Sequence, residues 1–183
     1  MSRLHLSRGR SVLGLASLVL VTVTGCTVAP SPRSPMAPSA VVLPADARAL
    51  AYGMTVEQIL RNPDLGTKIR GLFGRDWTAA TPGSSHLQPG AETYFEQGGP
   101  LRMIRIGSTD YIAASSCVPG DCNRRNVLVL IEEGGARLFA RLDEGGFVHY
   151  YSYGPGVTRD TAELITDSGF DALRQRLPSY AEL

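Results

Sequence analysis

A chain of 183 residues has room for one folded domain and short appendages, not for several domains. Its 18 Lys and Arg stand against 17 Asp and Glu, a net charge of +1, and no basic block lies outside the N-terminal segment. That balance argues against nucleic acid as a partner.

Residues 1–25 read as a leader. Arg3, Arg8 and Arg10 give a basic start, and Val12 to Val23 is an apolar run too short to span a bilayer. Val23-Thr24-Gly25-Cys26 resembles the lipobox of bacterial lipoprotein signal peptides. The resemblance implies cleavage before Cys26 and lipidation of that cysteine. An ordinary secretory signal or an uncleaved anchor is the alternative. Thr27 differs from the aspartate that marks inner-membrane retention, so the expected location is the cell envelope, lipid-anchored on the periplasmic side of the outer membrane. Removing Arg3, Arg8 and Arg10 turns the charge of +1 into about −2, a mildly acidic surface that favours a basic partner only weakly.

From Thr27 to Pro44, Pro30, Pro32, Pro35, Pro38 and Pro44 are interleaved with Ser and Ala. This composition predicts an extended spacer, with a docking motif as the alternative. Residues 26–45 are therefore expected to be the lipidated cysteine and linker, and residues 46–183 the folded domain. Thr55-Val56-Glu57-Gln58 has capping-box spacing and leads into a helix that Asn62-Pro63 stops. A second helix is expected over 67–73, with Ile69, Leu72 and Phe73 on one face. Trp77 is expected to close the core beneath these helices. The Gly-, Pro- and Ser-rich stretch 81–99 reads as a long connection with a short extended piece at Thr93-Tyr94-Phe95.

From Leu101 the pattern changes to strands and tight turns. Strands are expected over 101–106, 111–116, 126–131, 136–142 and 147–153, the third buried on both faces and the fourth half-buried. Turns at Gly107-Ser108, Gly134-Gly135 and Gly145-Gly146 make them an antiparallel meander. Asp167 or Ser168 is expected to cap a final helix carrying Phe170, Leu173 and Leu177, ended by Pro178. Strands flanked by short helices at both ends define an α+β domain.

Between the second and third strands lies Cys117-Val118-Pro119-Gly120-Asp121-Cys122. With Cys26 assigned to lipid, Cys117 and Cys122 remain in an oxidising compartment, where a disulfide is expected. A metal site is the competing reading, but His86 and His149 show no ligand spacing around the cysteines. A disulfide across so short a loop stabilises by only about 2 kcal/mol. Its greater effect is preorganisation, because a closed loop with a proline loses little freedom on entering a partner's cleft.

Signs of catalysis are lacking in the sequence. It has no nucleophile elbow, no phosphate-binding loop and no His pair at helical spacing. Four residues between the cysteines, not two, argue against a thiol oxidoreductase. His149, between Val148 and Tyr150, reads as a structural or surface residue sooner than as a general base. Glu132-Glu133 and Asp143-Glu144 read as solvated turn residues. Tyr151 and Tyr153 share one face, for packing or for contact. The chain is expected to be a binder, not an enzyme, and to hold neither cofactor nor metal.

Ile106-Gly107-Ser108-Thr109-Asp110-Tyr111, then Ser116 to Cys122, then an aliphatic strand, resembles the Ivy family, the bacterial inhibitors of vertebrate (c-type) lysozyme. The likeness runs from about Phe73 and Trp77 through Tyr153 and rests chiefly on Cys-Xaa-Pro-Xaa-Asp-Cys after a Gly-containing hairpin. It implies a central antiparallel sheet, a protruding disulfide loop that plugs the lysozyme cleft, and a homodimer in many members. Cys117, Cys122, Pro119 and Asp121 match the family loop. Gly120 stands where strong inhibitors carry a histidine, and Val118 where a basic residue is frequent. Arg124 and Arg125 are candidate contacts at the cleft's rim. Two alternatives stay open: regulation of the cell's own lytic transglycosylases, and a structural envelope lipoprotein in which the loop merely pins two strands.

Overall fold

The computed structural model describes residues 37–78, 87 and 89–176. Cys26, His86, Leu177 and Pro178, and the readings that rest on them, lie outside the described residues. Seven strands form one antiparallel sheet: β1 (Ala40–Leu43), β2 (Gln97–Gly98), β3 (Arg102–Ile106), β4 (Thr109–Cys117), β5 (Arg125–Glu132), β6 (Leu138–Glu144) and β7 (Phe147–Tyr153). Their order is β1-β3-β4-β5-β6-β7, and β2 pairs with the far end of β4, at Ser116 and Cys117. The protein is therefore α+β, and the expected five-strand meander is its β3–β7 part.

Side-chain alternation splits the sheet into two faces. Met103, Ile112, Ala114, Val127, Val129, Ile131, Leu138, Ala140 and Leu142 point to one core. Over that core pack α1 (Ala47–Leu50), α2 (Val56–Arg61) and α3 (Pro63–Phe73). Thr55 caps α2 by accepting from the Gln58 N–H, while Gln58 Oε1 accepts from the Met54 N–H at 2.7 Å, one residue earlier than a capping box would place it. Asn62 ends α2, and its Oδ1 accepts from Asp64 and Leu65 N–H to start α3, with Pro63 at the first helical position. The second helix thus begins four residues before the expected Thr67 and buries Ile69, Leu72 and Phe73 as expected. Trp77 stacks with Phe73 and Phe95 at centroid distances of 5.9 and 5.4 Å, closing this core.

On the opposite face Ile104, Ile106, Tyr111, Ala113, Leu128, Leu130 and Phe139 pack against α4 (Arg159–Arg176). The expected cap at Asp167 or Ser168 is corrected here: both sit inside one continuous helix. Ser168 bonds back to the Leu164 carbonyl at 2.8 Å, and Asp167 accepts from Arg141 and Tyr150. The cap is Thr158, whose Oγ1 accepts from the Thr161 N–H. Because α4 covers this face, β6 is not half-solvated: Phe139 is as buried as its neighbours.

Two further expectations change. Ala40–Leu43, assigned to the linker, is a strand in register with β3, and Val42 is buried against α4's core. The folded unit therefore starts before Asp46. Four apolar residues in a row suffice for an edge strand once a partner edge is present, whatever the prolines around them. Thr93-Tyr94-Phe95 is not extended but part of a 3-10 turn, Ala91–Phe95, that buries Tyr94 and Phe95.

Candidate functional site

The knuckle at the end of β4 and β5 is assembled by local hydrogen bonds and one covalent bond. Cys117 closes the ladder opposite Asn126, and Cys117 and Cys122 form a disulfide with Cα atoms 4.9 Å apart. Val118 N–H donates to the Arg125 carbonyl at 3.0 Å, and Asp121 N–H to the Val118 carbonyl at 3.0 Å. The second bond defines a β-turn with Pro119 and Gly120 at its centre. Gly120 has φ +80°, the left-handed value that a type II turn demands at that position after proline. An added Cβ there would meet nothing within 4 Å, and Pro119 and Gly120 are both exposed, so the tip stands in open solvent.

Asp121 is spent on building the loop. Its carbonyl accepts from the N–H groups of Arg124 and Arg125, at 2.9 and 2.8 Å, and its carboxylate lies 3.5 Å from Arg125 Nε. Arg125 is thereby tied to the knuckle's own frame. Arg124 is exposed and has no carboxylate partner among the described residues. Of the two candidate rim cations, only Arg124 is free to meet an external anion.

Three supports under the loop carried no sequence signal. Gln97 in β2 lies against the disulfide, its carbonyl 3.7 Å from Cys117 Sγ and its Oε1 3.7 Å from Cys122 Sγ. These are packing contacts, since a disulfide sulfur has no proton to donate. Buried Asn126 donates from Nδ2 to the Cys122 carbonyl at 3.4 Å and stands opposite Asp143 across the β5–β6 ladder. The β6–β7 hairpin tip joins from the side, Gly145 N–H donating to the Arg124 carbonyl at 2.8 Å. Long-range pairing put these residues here; only the cysteine spacing announced the loop.

The remaining candidates fall into structural roles. The carboxylates expected to be solvated are paired: Glu132 with Arg137, Asp143 with Arg141 at 3.1 Å, Glu144 with His149 at 3.1 Å, and Glu133, though exposed, with Arg48 at 3.5 Å. For the three on strands, register sets a base opposite or beside each acid, which composition cannot show. Burial raises the Asp143 carboxyl above its ordinary value even beside Arg141. Tyr151 packs on the Phe73 ring and donates its hydroxyl to Asp76 at 3.2 Å, and burial pushes that phenol far up. Among the described residues no group of His, Cys, Asp and Glu is arranged to hold a metal ion. None of their helices is long and apolar enough to cross a membrane. Compared with protein-family models, with curated proteins and with solved structures, the chain has no match in any of the three.

Proposed function

We propose that this chain is a lipid-anchored envelope protein, not an enzyme, that inhibits a c-type lysozyme by inserting the Cys117–Cys122 loop into the enzyme's cleft. The observation that carries the reading is the exposed, covalently closed turn with Pro119 and Gly120 at its tip, in a loop whose sequence resembles that of the Ivy family. A rigid loop enters a groove at low entropic cost. A glycosidase cleft offers two carboxyl groups flanking that groove, and Arg124, two residues past the loop, is exposed and has no carboxylate partner among the described residues.

Gly120 favours a second target, the cell's own lytic transglycosylases. Without the family histidine the loop lacks charge-assisted hydrogen bonds worth about 1.5–3 kcal/mol each, so a strong hold on two catalytic carboxylates is harder to reach. A transglycosylase cleft carries a single catalytic acid and asks for less. Titrating the purified protein against a c-type lysozyme and a lytic transglycosylase separates the two. Pro119→Lys is expected to weaken inhibition of the true target at least tenfold. If neither enzyme is slowed at micromolar protein, the loop is structural and the proposal is lost.

A further inference from the structure

The Cys117–Cys122 loop offers little surface by itself. Only Pro119 and Gly120 are exposed; Val118, Asp121 and Cys122 are half-buried, and Cys117 is buried. A specific complex buries about 800 Å² on each partner, so surface beside the loop has to be covered as well. Two neighbours adjoin it at this end of the sheet. On the β4 side the chain entering β2 brings Glu96 and Gln97, both exposed, and a carboxylate there would meet like charge in a glycosidase cleft. On the β5 side stands the β6–β7 hairpin tip, joined to the loop's base. Arg125 pairs with Glu144 across the ladder, and Gly145 N–H donates to the Arg124 carbonyl at 2.8 Å. Gly145 and Gly146 make that turn, so the first side chain past it is Phe147, the most exposed large apolar residue among those described, at 74%. A Cβ on Gly145 would lie 3.5 Å from Arg124 Nη2, so the Arg124 guanidinium lies against the glycine turn that leads to Phe147. Asp121, Asp143 and Glu144 nearby face Arg125, Arg141 and His149, and Arg124 keeps its charge for a partner.

We propose that Phe147 is a second prong of the inhibitory surface, seated on an apolar wall of the same cleft that receives the Cys117–Cys122 loop, with Arg124 against a carboxylate near it. The inference rests on the reading of the chain as a cleft inhibitor and adds the part of the partner that the loop does not reach. Neighbouring strands stand about 4.8 Å apart, so the loop above β4 and β5 and the ring on β7 are roughly 10–14 Å apart. Ligand clefts are lined chiefly by apolar and aromatic side chains around a few polar groups, and an aromatic ring beside one cation fits such a lining. Taking the phenyl side chain at roughly 200 Å², Phe147 brings about 150 Å² to the contact. Because the hairpin tip is hydrogen-bonded to the base of the knuckle, both prongs enter as one body and little further ordering opposes binding.

Inhibition constants against a c-type lysozyme and a lytic transglycosylase, with melting temperatures alongside, test this in the full chain. Phe147→Ser is expected to weaken inhibition about tenfold with the melting temperature unchanged, and Phe147→Leu to keep most of it. If Pro119→Lys abolishes inhibition and Phe147→Ser leaves it unchanged, the loop acts alone: the second prong is lost and the cleft reading stands. If Phe147→Ser weakens inhibition and Pro119→Lys does not, the hairpin binds without the loop, and the two-pronged surface is lost together with the loop reading. A weakening that tracks a falling melting temperature in both Phe147 variants makes the ring structural and overturns the proposal. Inhibition of neither enzyme removes both readings.

Discussion

At Gly120 two effects of similar size oppose each other. Its φ of +80° costs an L-residue about 1–2 kcal/mol, whereas an imidazole at the tip gains about 1.5–3 kcal/mol for each charge-assisted bond to a cleft carboxylate. With no atom within 4 Å of an added Cβ, there is no clash to add. Gly120→His is therefore expected to lower the melting temperature slightly while tightening lysozyme inhibition severalfold. A lower melting temperature with unchanged inhibition would show that the tip never enters the cleft. Below the knuckle, Tyr94 is fully buried with no hydrogen-bond partner for its hydroxyl among the described residues, and burial pushes its pKa up to about 12. An unpaired buried hydroxyl costs about 1–3 kcal/mol, so Tyr94→Phe is expected to raise the urea midpoint; a drop would reveal a partner. What the sequence made legible at this scale was short-range: the Cys117–Cys122 closure, the Pro119-Gly120 turn and the Asn62-Pro63 junction. Gln97 and Asn126 were not legible, because their places under the loop are set by strand register, Gln97 and Asn126 each pairing with Cys117 from opposite sides of β4.

Elements followed the same rule. The meander β3–β7 was readable because turn glycines separate runs with clear alternation, and α3 because Ile69, Leu72 and Phe73 repeat at helical spacing. The edge strand β1 was not, since Val41-Val42-Leu43 is too short to outweigh the prolines around it until β3 supplies an edge. For α4, the Asp167-Ser168-Gly169 stretch reads as a helix start. Yet Gly169 sits where an added Cβ would lie 3.1 Å from Leu130 Cδ1, so glycine there permits close packing of the helix on the sheet. The new boundary has a consequence for truncation. A chain beginning at Asp46 loses β1, uncovers Ile104 and Ile106 and gives up buried Val42. With about 1.5–3 kcal/mol for the side chain and about 0.5–1.5 for each lost ladder bond, it is expected to be roughly 3–6 kcal/mol less stable than one that keeps residues 37–45. Equal urea midpoints for the two would make β1 dispensable.

For the molecule as a whole, acid is the condition that tests how helix and sheet are joined. Asp110 on β4 accepts from Arg105 of its hairpin partner, at 2.6 and 3.0 Å, and from Arg48 of α1 at 3.0 Å. Arg48 also reaches Asp46 at 2.7 Å and Glu133 at 3.5 Å, so one cluster ties α1, the β3–β4 hairpin and the turn after β5. The hydrogen bonds from Arg105, helped by those from Arg48, hold the Asp110 carboxyl down to about 2 against an ordinary 3.8. A folded-state value below the unfolded one means that unfolding takes up a proton between the two. The cluster's contribution is thus complete above the ordinary carboxylate range and is lost as pH falls from about 4 towards 2. Arg105 is half-exposed and Arg48 a third exposed, so solvent and salt keep the effect modest. Thermal midpoints are expected to hold steady from pH 7 to pH 4.5 and to fall below it. Asp110→Asn should start lower at pH 7 and lose less on acidification, and 1 M salt should narrow the gap between the two proteins. An identical acid slope in Asp110→Asn would move the acid sensitivity elsewhere in the molecule, with Asp46, whose carboxyl is likewise lowered by Arg48, as the next position to neutralise.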